Sequence, residues 1–433
     1  MENQMNQLLD AQGRPRVVIT GMGMVSPVGL SVEESWKNVL TGQSGVGPVT
    51  QFDASELPCR IAGEVKGFEP RDFIAHKEIR RMSRVSQLAT AAGRMAMEDA
   101  GLTGEEEDSN RIGVVVGTGM GGLETAYENM RVLREKGLSR LSPFSLPMVL
   151  PSMPTHHISL IARAMGPIST VVAACATGTQ SIGEAAELIR RKAADVVLTG
   201  GAEGLIHISS MASFAAMRAL STSHNDDPAR ASRPFDKDRD GFILSEGAGV
   251  VVLERLDRAL ARGAHIHAEV LGHASSSDAF HVAAPDPEGA GAIRAMRWAV
   301  ADAGLELGEI DYINAHGTST QLNDAIETYA IKRLFGEEAY SIPVSSTKSV
   351  TGHPMGGAGA IEAIFCVRAL EEGIIPPTWN YETADPDCDL DYVPNAPRRA
   401  SLKTAMSNSF GLGGQNACLV LGKYEAGPAS VSE

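Results

Sequence analysis

Twice in this chain a glycine turn runs straight into a short apolar strand. Near the middle, Glu246-Gly247-Ala248-Gly249 leads into Val250-Val251-Val252-Leu253; near the end, Gly413-Gly414-Gln415-Asn416 leads into Ala417-Cys418-Leu419-Val420-Leu421. Upstream of each, a second turn of small residues opens a helical stretch. Cys175-Ala176-Thr177-Gly178 precedes the helix from Gln180, and Gly352-His353-Pro354 precedes the helix from Gly359. Paired motifs recurring in one order predict two related halves, 1–265 and 266–424, followed by a frayed tail at 425–433.

The remaining pattern sets the fold class. Val17-Val18-Ile19-Thr20 reads as a short buried strand ending in Gly21-Met22-Gly23, and Ile112 to Val116, Val196 to Thr199, Val250 to Leu253 and Cys418 to Leu421 read as further buried strands. Ser83 to Ala100, Gln180 to Lys192 and Gly291 to Ala303 read as helices. Strands alternating with helices predict an α/β architecture with a mostly parallel sheet.

Composition excludes several function classes. A net charge of −15, from 53 acidic and 38 basic residues, disfavours nucleic-acid binding by bulk charge. The five cysteines, 59, 175, 366, 388 and 418, show no CxxC pair, which fits a reducing compartment better than a disulfide scaffold. Met1 to Arg16 is polar and no run of about 18 apolar residues occurs. The expectation is a soluble, cytoplasmic protein.

Three residues stand out as chemistry. Cys175 follows the β-branched Val171-Val172 through small residues and sits where a helix begins. Unpaired N–H groups and the macrodipole at such a position favour a thiolate, the nucleophilic form. His316, in Asn314-Ala315-His316-Gly317-Thr318-Ser319-Thr320, and His353, in Lys348-Ser349-Val350-Thr351-Gly352-His353-Pro354, each lie in a loop rich in small residues after an apolar stretch. Neutral imidazoles in such loops can donate to a developing oxyanion or enolate, and the Lys348 ammonium adds electrostatic support. The 37-residue gap between the histidines and the lack of a second thiolate argue against zinc here.

These segments together resemble the elongating β-ketoacyl-acyl-carrier-protein synthases, condensing enzymes of the synthase II type. The likeness runs from about residue 16 to 424 through Val17 to Gly29, Gly117 to Gly122, the Cys175 segment, Ser232 to Asp236, His316 to Thr320, Lys348 to Gly359 and Asn408 to Asn416. It implies a thiolase-like fold, two related halves in a five-layer α-β-α-β-α arrangement. It also implies a Cys175-His316-His353 active site tuned by Lys348 and supported by Glu362, with the backbone N–H groups of Cys175 and Leu412 as oxyanion hole. Thr318 and Thr320 are expected to meet a phosphopantetheine arm, Phe242 and Phe410 to flank a malonyl pocket, Met120 to face an acyl tunnel and Asp278 to contact substrate. No metal and no resident cofactor are implied, because phosphopantetheine arrives on the acyl carrier protein. Initiating relatives carry Asn in place of His353, and thiolases carry a second Cys that the Gly411-Leu412-Gly413-Gly414 loop lacks. The alternatives are the ketosynthase of a type II polyketide pathway and a non-catalytic scaffold subunit, which the intact Cys175 opposes.

The resemblance further implies a homodimer that takes acyl and malonyl thioesters from an acidic carrier protein. An acidic synthase then needs a local basic dock. On one continuous helix Lys77, Arg80, Arg81 and Arg84 fall at i, i+3, i+4 and i+7, a single face, and Arg218 is a further docking residue by resemblance. The chain departs from the family's usual pattern at Leu412 (commonly Phe), Gln415 (commonly Thr), Ala283 (often Thr) and Met120 (often Ile).

Overall fold

The computed structural model describes residues 7–105 and 108–425. The expected tail therefore lies outside the described residues, apart from Glu425. Ten strands form one large sheet: β1 (Val17–Val25), β2 (Ile112–Gly117), β3 (Ile168–Ser169), β4 (Val196–Glu203), β5 (Gly247–Arg255), β6 (Ala268–Ser277), β7 (Ile313–Asn314), β8 (Val344–Ser345), β9 (Thr404–Gly411) and β10 (Gln415–Gly422). Their order is β8-β7-β9-β10-β6-β1-β5-β4-β2-β3. Outward from the central β1–β6 seam, both arms repeat one pattern of two antiparallel pairings and then two parallel ones. The seam itself is short, pairing only Val18 with Glu269 and Ile19 with Ala268.

The expectation of a mostly parallel sheet is thus corrected to a mixed one. Each glycine-led strand noted above, β5 and β10, enters antiparallel between two neighbours, which an alternation of strands and helices does not reveal. The first strand also runs on through Gly21 and Gly23 to Val25. Those glycines do not end it; they let a helix rest on its backbone. A Cβ at Gly23 would lie 2.0 Å from the Ala92 carbonyl oxygen, and one at Gly21 2.3 Å from that of Ala96.

Six helices complete the layers: α1 (Arg84–Asp99), α2 (Met153–Ala162), α3 (Thr177–Arg190), α4 (Ala290–Ala303), α5 (Gln321–Phe335) and α6 (Ala358–Glu372). α1 packs on β1, β5 and α2; α4 packs on β6, β10 and α5. α3 and α6 touch each other and strands of both arms, so the sheet folds at its seam around a central helical layer. Ile182, Ile189, Ile364 and Phe365 from these two helices share a buried cluster with Val251 and Leu419. The two N-termini approach backbone to backbone, since a Cβ at Gly178 would stand 2.6 Å from the Ala360 nitrogen. That close approach brings the Cys175 turn beside the His353 turn.

Candidate active site

Cys175 sits in a tight turn, Ala174–Ala176, that feeds directly into α3. Ala174 before it is held at φ 47°, and Ser319 and Met355, in the loops bearing the two histidines, lie at φ 69° and 41°. Left-handed backbone at non-glycine residues is costly and persists where the surroundings over-determine it, often at functional sites. Here it occurs in all three loops that meet. The thiol is buried, and burial pushes it up to about 11 although the Lys348 charge and the Leu412 backbone N–H pull the other way. The resting group is therefore a neutral thiol, not the thiolate expected from its place at a helix start, because desolvation outweighs the helix end.

His353 Nε2 lies 3.0 Å from Cys175 Sγ. Its backbone is pinned to the segment before β5, donating to the Ile243 carbonyl at 2.7 Å and accepting from Ser245 N–H at 3.1 Å. The His316 ring stands perpendicular to that of His353 with centroids 5.3 Å apart. The three side chains present one donor atom each within 4.8 Å of one another. Burial first, then the Lys348 charge, holds both imidazoles well below their ordinary range, so both are neutral and able to accept or donate one proton. Lys348 donates to the His316 carbonyl at 2.6 Å and forms a buried ion pair with Glu362. Burial raises Glu362 to about 7 against the pull of Lys348.

Two buried carboxylates complete the frame, and the sequence reading missed both. Glu327, on α5, accepts from the backbone N–H groups of His316 and Gly317, each at 2.8 Å. Glu203, at the end of β4, accepts from Gly119 N–H at 2.9 Å, Gly356 N–H at 3.2 Å and the Thr118 hydroxyl at 3.0 Å. Burial lifts each to about 7. The one available signal was an acidic residue closing an apolar strand, Val196 to Glu203.

A cavity of about 580 Å³ opens over the thiol. Its wall includes Phe242, Phe410, Leu412, Asp278, Thr318, Thr320 and Arg218, as well as Cys175 and both histidines. Phe242 meets His353 edge-on at 5.5 Å, and Phe410 meets His316 at 5.9 Å. The Thr318 and Thr320 hydroxyls are 3.0 Å apart, and Asp278 accepts from the Asn416 amide at 2.7 Å. Leu412 stands at the tip of the β9–β10 hairpin, where Gly413 and Gly414 at φ 78° and 70° make the turn. Met120 is not in this wall; it is 47% exposed on the loop after β2.

The basic dock is also redrawn. The helix there spans only His76–Ile79, and Ser83 adopts an extended backbone to start α1, so the four cations do not share one helical face. Lys77, Arg80 and Arg81 are exposed. Arg84 is not a free cation: it pairs with the fully buried Glu246 at 2.8 Å and lies over the Phe68 ring.

A buried thiol facing two neutral imidazoles, with backbone N–H groups aimed at the sulfur, can form a thioester and stabilise an enolate. Comparison with known proteins agrees with that chemistry. Residues 14–259 match the model of the β-ketoacyl synthase N-terminal domain, and residues 267–382 that of the C-terminal domain. The chain is 48% identical over 412 residues to a 3-oxoacyl-[acyl-carrier-protein] synthase 2 of Synechocystis, covering 95% of this chain and 99% of the relative. Among solved structures, the ishigamide ketosynthase/chain length factor superposes with a TM-score of 0.89 at 40% identity, covering 95% of this chain and all of that one. A type II polyketide synthase acyl-carrier protein in complex with its ketosynthase gives 0.87 at 34%, again covering 95% of this chain and all of that one. The chain belongs to the β-ketoacyl synthase family and has its thiolase-like fold.

Proposed function

We propose that this chain is an elongating 3-oxoacyl-[acyl-carrier-protein] synthase, and that Cys175, His316 and His353 perform a decarboxylative condensation that lengthens a fatty acyl chain by two carbons. The observation that carries the reading is the 3.0 Å contact between Cys175 Sγ and His353 Nε2 at the floor of the cavity. In the first step Sγ attacks the acyl thioester of a carrier protein. The thiol proton passes by way of His353 to the departing carrier thiolate. In the second, malonyl carrier protein loses carbon dioxide, and the enolate oxygen takes hydrogen bonds from His316 and from His353, now in its Nε2–H tautomer. In the third, the enolate carbon attacks the acyl-Cys175 carbonyl, its oxygen held by the N–H groups of Cys175 and Leu412. The C–S bond breaks, the 3-oxoacyl thioester leaves on the carrier, and the released Cys175 thiolate takes one proton from water to restore the resting thiol.

Lys348 holds both histidines neutral by its charge, and Glu362 keeps that ammonium in place. Thr318, Thr320 and Asp278 receive the phosphopantetheine arm, while Lys77, Arg80, Arg81 and Arg218 face the acidic carrier. Among the described residues no helix is long and apolar enough to cross a membrane, and every cysteine is free and buried; both support a cytoplasmic enzyme. The edge strand β3 is exposed, with Leu160, Met165 and Val172 exposed nearby in the chain and Met120 exposed on the loop after the adjoining strand β2. A second copy of the chain covers this face, and Met120 acts across that junction.

The likeness to the ishigamide ketosynthase and to the polyketide ketosynthase complex supports a second reading, the same chemistry on a polyketide chain. Mass spectrometry of products formed from malonyl carrier protein and a series of acyl carriers tests both. Saturated acyl carriers extended by one two-carbon unit support the first reading; extension of polyketonic or unsaturated acyl carriers alone supports the second. No 3-oxoacyl product from any carrier overturns both.

A further inference from the structure

Away from the catalytic cavity, three elements end at one place. Asp99 is the last residue of α1, Glu371 the last but one of α6, and His265 and His267 lie on the segment leading into β6. Helix C-termini carry partial negative charge, and here two of them meet, each tipped with carboxylates. His267 is nearly buried and held at both nitrogens: Nδ1 is 2.7 Å from Glu371 Oε1, and Nε2 is 2.9 Å from Asp99 Oδ2. The exposed His265 stands perpendicular to it with centroids 4.5 Å apart, its Nε2 3.9 Å from the same Glu371 oxygen. One donor atom from each of His265, His267 and Glu371 lies within 4.8 Å of the others.

We propose that His265, His267 and Glu371 form a binding site for a zinc-class divalent cation, with Asp99 as the outer carboxylate that orients His267. Two imidazoles and one carboxylate are a donor set for zinc or cobalt rather than magnesium or calcium. The Nε2–H of His267 donates to Asp99, which itself accepts Met22 N–H at 2.8 Å. That is the arrangement in which a carboxylate fixes the tautomer of a metal-bound histidine. The ion takes the place of the Nδ1 proton. A tetrahedral ion with ligands at about 2.0–2.1 Å sets them roughly 3.3 Å apart. The present spacings of 2.7 and 3.9 Å bracket that value, and the exposed His265 is free to close. Arg368 opposes a cation but ties down the other Glu371 oxygen at 3.0 Å, leaving Oε1 to the histidines, and its own charge is shared with Glu372. A bound ion would fasten α1, α6 and β6 together. This departs from the sequence-based expectation of no metal.

The test is equilibrium dialysis of the full, untagged chain against Zn²⁺, with Co²⁺ as the optical probe. Cys175, His316 and His353 also cluster closely enough to hold an ion, so the measurement is made in the Cys175→Ala background; in the third such cluster, Glu187, His273 and Asp302, Arg190 already pairs with both carboxylates. One Zn²⁺ per chain is expected there, with the visible bands of tetrahedral Co²⁺. His265→Ala, at a side chain 71% exposed and so without folding consequence, weakens binding at least fivefold, as does Glu371→Gln. No bound ion in the Cys175→Ala chain, or less than a fivefold change on His265→Ala, overturns the proposal.

Discussion

The thiol of Cys175 rests protonated because its burial costs more than Lys348 and the nearby N–H groups return. Deprotonation therefore rises with pH across the whole range below about 11. Alkylation of Cys175 by iodoacetamide is expected to quicken about tenfold per pH unit from 7 to 10, with no plateau; levelling off below pH 9 would contradict that reading. Leu412 makes a second prediction. Its side chain packs with Cys175, Phe242 and Met355 at the cavity floor, and it is shorter and less planar than an aromatic ring. Leu412→Phe is expected to slow loading of bulky acyl chains about tenfold, roughly 1.4 kcal/mol of barrier, with malonyl decarboxylation unchanged. Equal loading across short, long and branched acyl carriers would show that this residue does not gate. At this scale the sequence was most legible where chemistry demands a residue type in a small-residue loop, as at Cys175, His316 and His353. Glu203 and Glu327 were not legible, because an isolated acid reads as a surface residue until the fold buries it against backbone N–H groups.

At the scale of elements, the four-cation stretch shows what helical spacing misses. The extended backbone at Ser83 starts a new helix, so Arg84 turns inward to the Glu246 carboxylate while Lys77, Arg80 and Arg81 stay outside. Arg84→Ala takes the charged partner from the buried Glu246 carboxylate, leaving the Val65 N–H and the Gln51 amide as its donors, and is expected to destabilise the fold by about 3 kcal/mol, read as a lower midpoint in denaturant. A variant of wild-type stability with weaker carrier binding would return Arg84 to the dock. The glycines of β1 teach a related lesson. In a sequence Gly21 and Gly23 look like the end of a strand, yet their lack of Cβ serves the packing of α1 on the strand's backbone. Strand direction was likewise hidden, since β5 and β10 carry the same apolar composition whether paired parallel or antiparallel.

For the whole molecule, the two arms of the sheet carry the same sequence of pairing signs. That symmetry sets the starts of the two central helices side by side, and with them Cys175 and His353. A chain of net charge −15 has no bulk attraction for an acidic carrier, so the proposed dock rests on local cations. Reversal of Lys77, Arg80 and Arg81 to Glu is expected to raise KM for carrier-bound substrate by tenfold or more with kcat little changed. Added salt should weaken the wild-type complex in the same direction. Unchanged kinetics with intact carrier protein would move the dock elsewhere.

In the proposed mechanism the nucleophile, Cys175, lies on one arm and the enolate-stabilising pair, His316 and His353, on the other. Cys175→Ala separates the two directly, with carbon dioxide release and 3-oxoacyl product measured in the same reaction on malonyl and acyl carrier proteins. No product and no acylated enzyme are expected, with carbon dioxide still released because His316 and His353 remain. Product formation by the variant, with an acyl group on another residue, would contradict it.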